Sequence, residues 1–362
     1  MSEVIANFSA GPSALPKAVR QLIADGLQPT MDASPSLIEV SHRGPAFGEV
    51  ADALREALTR LMMLDGQHEL LLLQGGANQQ FAQLPLNFAQ QQTPAYLLTG
   101  HWGEKALAEA ERIGPAVVAA SAADTGYTRL PAIDKVDDQW AYLHYTGNET
   151  IHGVQFDQPP DVSTVPLVAD LSSEFLSRPY PYTALSGFYA GAQKNLGVAG
   201  LTIVGLSKEW LADIPKAQQH SMPKFFDYRA WIESDSMLNT PATFAWWVAL
   251  EMCRWIENSG GLTTLDAKNR QKAGRVYACI DVSDFYLNPV EHASRSVMNV
   301  PFWIHDKTLE SEFVKEAERA GLLGLKGHRA VGGLRASLYN AIEDSAVMAL
   351  VEFMREFERR YG

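Results

Sequence analysis

The sequence predicts an α/β protein: a large domain with a mostly parallel central sheet flanked by helices, then a smaller C-terminal α+β domain. Three observations carry this expectation. Short, mainly apolar runs alternate with segments of helical periodicity between residues 49 and 206, the pattern of strands joined by crossover helices. Several of those runs end directly in turns of glycine and small polar residues, at 74–78, 100–103 and 146–150, where open α/β sheets present their chemistry. A Ser259-Gly260-Gly261 break then ends a long helix and precedes elements in a different order, which places the domain boundary there. The expected domains are 17–259 for the large one, and 1–16 with 260–362 for the small one.

Residues 1–16 read as an irregular entry broken by Gly11-Pro12 and Pro16, and a helix is expected over 17–26. In the segment 37–47, His42 and Arg43 precede Gly44-Pro45 in a turn, able to aim two donors at one anion; turns equally often carry solvated charge. Residues 49–63 place Val50, Ala53, Leu54, Ala57, Leu58, Leu61 and Met62 at helical spacing, a core-facing stripe. A strand at 69–73 runs into Gln74-Gly75-Gly76-Ala77-Asn78, with a helix over 79–86. Strand, small-residue turn and helix in that order point N–H groups and the helix dipole at a phosphate, but the turn matches neither GxGxxG nor the Walker pattern.

A strand at 95–99 ends at Gly100-His101-Trp102-Gly103. A tryptophan there can lay its face on a flat aromatic ligand or pack in the core. A helix over 104–113, strands at 116–120 and 141–145, and the turn Thr146-Gly147-Asn148-Glu149-Thr150 follow, with Thr150 free to donate a hydroxyl. Beyond the strand at 201–206, Pro241 opens a helix over 244–258. The last hundred residues read as helix 265–279, strands 285–287 and 297–303, helix 309–320, strand 336–338 and helix 344–361, with His328, Arg329 and Arg335 on glycine-rich loops. Arg335 could hold a carboxylate as a bidentate fork.

The totals narrow the function. The chain of 362 residues is 46% hydrophobic and 20% charged, as expected of a folded globular protein of two domains. Its net charge of −12 disfavours nucleic acid as a partner. Cys253 and Cys279 are the only cysteines, without metal-ligand spacing, so neither a disulfide framework nor a metal site is implied. The most apolar segments, 69–73 and 244–256, are too short or too interrupted by charge to span a bilayer. No basic-then-apolar leader opens the chain, and a reducing cytoplasm is the expected compartment.

The stretch around Lys194 carries the chemistry. An apolar run, 165–169, ends at Asp170; Lys194 follows in a tract, 179–207, that holds no other Asp, Glu, Lys or Arg. A lysine so surrounded is expected to be desolvated, which lowers its pKa and makes the amine a usable nucleophile and base; the alternative is a surface lysine in a glycine-rich loop. An acid at a strand end and such a lysine suit pyridoxal phosphate, whose ring nitrogen takes a carboxylate partner and whose aldehyde takes an amine.

Together the segments NFSAGPSALP, EVSHRG, LLLQGGANQQF, HW at 101–102, HYTGNETIHG, VADLSS, YAGAQKNLG, NTPATFAW, RSVMNVPF and KGHRAVGGLRASLYNA resemble the phosphoserine aminotransferases, pyridoxal-phosphate enzymes of class V and fold type I. The resemblance runs nearly end to end. It implies that Lys194 is the Schiff-base lysine, that Asp170 partners the pyridine nitrogen, that Trp102 stacks on the ring and that Thr150 bonds its phenolic side. The phosphate would sit on the N–H groups of Ala77 and Asn78, beside Gln193. A homodimer is implied, with Asn239 and Thr240 reaching the phosphate from the second subunit. Arg335 would clamp the substrate α-carboxylate. His42 and Arg43 of the neighbour, with His328 and Arg329 as further candidates, would receive the distal phosphate of 3-phosphonooxypyruvate or the γ-carboxylate of L-glutamate. The implied roles are in L-serine biosynthesis and, in some bacteria, pyridoxine biosynthesis. A branch of the family has Gly-Arg where this chain has Ala77-Asn78, so more of the anion binding falls to His42 and Arg43. Ala10 stands at the position of a family serine. The alternatives are another class V enzyme, of the alanine–glyoxylate or cysteine desulfurase kind, or a non-catalytic cofactor-binding α/β protein.

Overall fold

The computed structural model describes residues 6–27, 36, 38–89, 91–162, 164–214 and 222–362; residues 1–5 of the expected small domain and Leu37 lie outside them. After β1 (Ala6–Asn7) and α1 (Lys17–Gly26), α2 (Pro45–Met62) opens on Pro45, four residues before the expected start. Proline suits a first helical position, because its missing N–H would have had no partner there. Phe47, Ala51, Leu54, Ala57, Leu58 and Met62 are buried along one face, and Met63 ends the helix in the left-handed conformation at φ 53°.

The central sheet comprises β2 (His68–Gln74), β3 (Ala95–Leu98), β4 (Val117–Ser121), β5 (Leu143–Thr146), β6 (Leu167–Asp170), β7 (Gly187–Gly191) and β8 (Leu201–Ser207). Their order across the sheet is β2-β8-β7-β6-β5-β3-β4. The β3, β4, β5, β6 and β7 pairs are parallel, while β8 runs antiparallel to both its neighbours, so the sheet is mostly parallel as expected. β7 is an addition to the expected strands. Its sequence, Gly-Phe-Tyr-Ala-Gly, has weak strand propensity, and it is held by ladders on both sides, where neighbours decide conformation. Helices α3 (Asn78–Phe88), α4 (His101–Glu111), α5 (Lys208–Ala212), α6 (Tyr228–Glu233) and α7 (Thr243–Asn258) complete this part.

The break at 259–261 spans only two residues in the structure. Gly260 takes φ 98° ahead of α8 (Gly261–Asp281), a conformation that glycine adopts without Cβ strain. Leu262 and Leu265 of α8 pack in the core of the large sheet; from Ala273 onward the helix packs in a separate cluster with Phe8, Val300, Phe302, Leu334 and the apolar face of α10. The remaining elements are β9 (Tyr286–Leu287), β10 (Asn299–Ile304), α9 (Glu310–Arg319), β11 (Leu322–Leu323), β12 (Leu334–Ser337) and α10 (Asp344–Tyr361). β9, β10 and β12 form an antiparallel sheet, and β1 pairs in parallel with β11, a two-residue pairing too short for periodicity to reveal. Among the described residues no helix is long and apolar enough to cross a membrane.

Candidate active site

Parallel strands direct all their carboxyl ends to one edge of the sheet, so the turns after β2, β3, β5 and β6 meet there. They border a cavity of about 410 Å³ lined by Ala77 and Asn78 after β2, Trp102 after β3, Thr150 after β5, Asp170 and Ser172 at β6, and Gln193 and Lys194 after β7. His328 and Arg335 reach it from the C-terminal part, and Ala10 from the N-terminal segment. Nine residues expected from the sequence thus share one cavity. His42, Arg43, Asn239, Thr240 and Arg329 do not line it. His42 and exposed Arg43 sit on the turn ahead of α2. Asn239 accepts a hydrogen bond from Gln74 at 2.8 Å, and the Thr240 carbonyl accepts another from the same side chain. Arg329 is exposed, near enough for its charge to act on His101 and His328.

Two placements differ from expectation. Trp102 stands in the first turn of α4 rather than in a loop, because the helix starts as soon as Gly100 has turned the chain. Arg335 lies inside β12 rather than before it, paired across to Pro301 of β10, which gives it a rigid base. Its Nη1 approaches the Thr150 carbonyl at 3.5 Å.

Lys194 donates to Thr150 Oγ1 at 3.1 Å, and its Nζ lies 5.7 Å from the centre of the Trp102 ring. Burial pushes its pKa down to about 8, against the opposing pull of Asp170 and Glu149. Asp170 is 6% exposed and accepts from the Ser172 N–H at 2.9 Å. Burial raises its pKa, while Lys194, Ser172 and Tyr189 hold it down. Behind it Tyr189 shares a 2.8 Å hydrogen bond with His144, a histidine that burial pushes to about 3 and so keeps neutral. The N-terminal segment crosses over this lysine: Ser13 Oγ donates to the Lys194 carbonyl.

These residues fit pyridoxal phosphate. Trp102 Nε1 and Arg335 Nε are buried without a hydrogen-bond partner, and desolvation holds the Arg335 guanidinium below its usual pKa, as suits a cation awaiting a carboxylate. Ala77 caps α3, whose first N–H groups have no intrahelical acceptor and suit a phosphate. Asp170 and Lys194 place at the same cavity a carboxyl and an amine, the groups that the cofactor's ring nitrogen and aldehyde take. Among the described residues no cluster of His, Cys, Asp or Glu could hold a metal ion.

Glu149, fully buried, carries no sequence-based assignment, yet both Trp102 N–H and Gly103 N–H donate to its Oε1 at 3.0 Å. The available signal is modest: it is the only charged residue between 139 and 156, in a post-strand turn. Ser172 and Tyr189 had no signal beyond their place near Asp170.

The class V aminotransferase model matches residues 5–350. A phosphoserine aminotransferase of Pseudomonas entomophila is 43% identical over 365 residues, covering 100% of both chains. The solved phosphoserine aminotransferase of Bacillus circulans subsp. alkalophilus superposes with a TM-score of 0.95 at 42% identity, covering 100% of both chains. The pyridoxal-phosphate-bound phosphoserine aminotransferase of Trichomonas vaginalis gives 0.92 at 38%, covering 97% of this chain and 99% of that one. The chain therefore belongs to the class V aminotransferase family, in its phosphoserine aminotransferase branch.

Proposed function

We propose that the chain transfers the amino group of L-glutamate to 3-phosphonooxypyruvate, reversibly giving 2-oxoglutarate and O-phospho-L-serine, with pyridoxal 5′-phosphate as cofactor. One observation carries the reading: a desolvated lysine amine and a buried carboxyl border a single cavity with a helix N-terminus, an aromatic face and an arginine whose buried Nε has no partner. When bound, the cofactor supplies an aldehyde for amines and a ring that accepts electrons from substrate Cα.

The chain's own residues do the rest. Lys194 would hold the cofactor through its amine, and the same amine is placed to serve as the base for the proton on substrate Cα. Asp170 keeps a proton on the ring nitrogen, an assignment supported by its burial opposite Lys194. Trp102 packs on the ring and Thr150 donates to its phenolic side, while Ala77, Asn78 and Gln193 hold the phosphate. Arg335 clamps the α-carboxylate in a fork. His328 and Arg329 contribute to binding the distal anion with His42 and Arg43.

The last two, with Asn239 and Thr240, lie outside the cavity of their own chain, which supports a homodimer whose subunits exchange them. Two buried free thiols, Cys253 and Cys279, fit a reducing cytoplasm. They also weigh against a desulfurase, because burial pushes both thiols up in pKa, away from the reactive thiolate.

A half-reaction tests the reading. Protein converted by L-glutamate to its amino form is mixed with single keto acids, and the visible absorbance is followed. 3-Phosphonooxypyruvate restores the yellow form; equal restoration by pyruvate or glyoxylate would remove the substrate assignment.

A further inference from the structure

Glu149 is buried behind the cavity wall, one residue before Thr150, and has no role in the scheme above. The turn that carries it is fixed at both ends: its N–H donates to the Val154 carbonyl at 2.8 Å, and its own carbonyl accepts from Gly153 at 2.8 Å. The carboxyl then reaches the opening turn of α4, where Oε1 accepts from Trp102 and Gly103 and Oε2 lies 3.4 Å from Trp102 N. Those are backbone donors that the helix itself leaves without partners, and an anion there also faces the positive end of the helix dipole. Close approach at Gly100 makes the reach possible. A Cβ on that residue would stand 2.8 Å from Glu149 Oε2 and 2.5 Å from His152 Nδ1.

Burial pushes the Glu149 carboxyl up to about 8, against the Gly103 and Trp102 N–H groups and Lys194, so it gains its charge in the same pH range in which the Lys194 amine titrates. Charged and titratable groups facing it are Asp170 and Lys194, His152 on its own turn and Tyr127, whose phenol it disfavours ionising. Lys194 thus feels two carboxyls, Asp170 and Glu149, against one arginine, Arg335.

We propose that Glu149 is a positioning residue of the transamination site: its carboxyl fixes the start of α4, and so the Trp102 ring, beside Lys194, and once ionised it favours the protonated state of the nitrogen that Lys194 contributes. This rests on the cofactor reading given under Proposed function. The two parts separate chemically, because glutamine keeps an oxygen acceptor for the α4 N–H groups and lacks the charge.

The experiment uses the cofactor-loaded protein and its Glu149→Gln and Glu149→Ala variants. Two quantities are read: the pH midpoint of the cofactor's visible absorbance and the cofactor dissociation constant. In Glu149→Gln the midpoint falls by about one pH unit, as expected when an opposite charge near a cationic nitrogen is removed, while the dissociation constant stays within about twofold. In Glu149→Ala the midpoint falls similarly and the dissociation constant also rises, by roughly fivefold, the scale of a lost helix cap. A midpoint unmoved in Glu149→Gln overturns the electrostatic part. A dissociation constant in Glu149→Ala equal to that of Glu149→Gln overturns the positioning part. Absence of any cofactor absorbance in the unmodified protein would instead remove the cofactor reading, and this inference with it.

Discussion

Two buried lysines in this chain show how different a low pKa can be in its use. Lys194 and Lys272 are both desolvated, with pKa values pushed down to about 8 and about 7. Lys194 makes one side-chain hydrogen bond, to Thr150, on the wall of a cavity. Lys272, 3% exposed, donates to the carbonyls of Leu338, Tyr339 and Ile342 at 2.9–3.1 Å. An ammonium has three donors, so Lys272 has none left for a ligand. Its three acceptors lie in the connection between β12 and α10, the same connection in which Asn340 is tied to Asn195, next to Lys194. One amine is kept available for chemistry, and the other is spent on holding the chain that frames it. Desolvation alone therefore does not mark a reactive lysine; unsatisfied donors facing a cavity do.

The largest test of this contrast is Lys194→Ala. Transaminase activity falls by about 10⁴-fold, the upper scale for losing a general base, and borohydride no longer fixes the cofactor to the chain. The urea unfolding midpoint stays close to that of the unmodified protein. Lys272→Met gives the opposite profile. Three buried carbonyls lose their donor, which costs about 2–3 kcal/mol of folding stability by urea titration, whereas the cofactor remains fixed by borohydride. A loss of borohydride fixation in Lys272→Met with stability unchanged would reverse the two assignments.

A pH measurement sharpens the difference. In protein stripped of cofactor, an amine reagent attacks the unprotonated form, so its rate on Lys194 rises with pH and is half-maximal near pH 8. An ordinary lysine reaches that point about two units higher. The sign follows from burial: desolvation disfavours the ammonium, so the amine is freed at lower pH. Lys272 stays unmodified throughout, because its three hydrogen bonds and burial keep reagent away. The smallest effect is expected at Thr150→Val, which removes the single side-chain acceptor of Lys194 and the hydroxyl assigned to the cofactor. Cofactor affinity falls by roughly fivefold, about one neutral hydrogen bond.

Lys194 and Lys272 also mark how much of the molecule is legible before folding. Lys194 stands alone in an uncharged tract, so its desolvation is a local property of the sequence. Lys272 lies in Asp-Ala-Lys-Asn-Arg-Gln-Lys, which reads as a solvated helix face, and only the packing of α8 against the β12–α10 connection buries it. The same division holds for the strands. β2, β3, β5, β6 and β8 carry apolar runs that announce them, whereas the glycine-flanked β7 depends on neighbours on both sides. Trp102 was recognisable as a candidate by its place after a strand, but its position in the first turn of α4, and the buried carboxyl that holds that turn, were not.

By itself the sequence determined the alternation of strands and helices, the end-to-end family motifs, and the pairing of Asp170 with a charge-isolated lysine. These are consequences of short-range spacing and composition, which survive in one dimension. Only the tertiary structure decided which donors remain unsatisfied. It brought Arg335 to Thr150 across 185 positions of chain, set Glu149 under Trp102 and filled every donor of Lys272. Hydrogen-bond satisfaction inside a protein depends on groups far apart in sequence, and no local pattern records them.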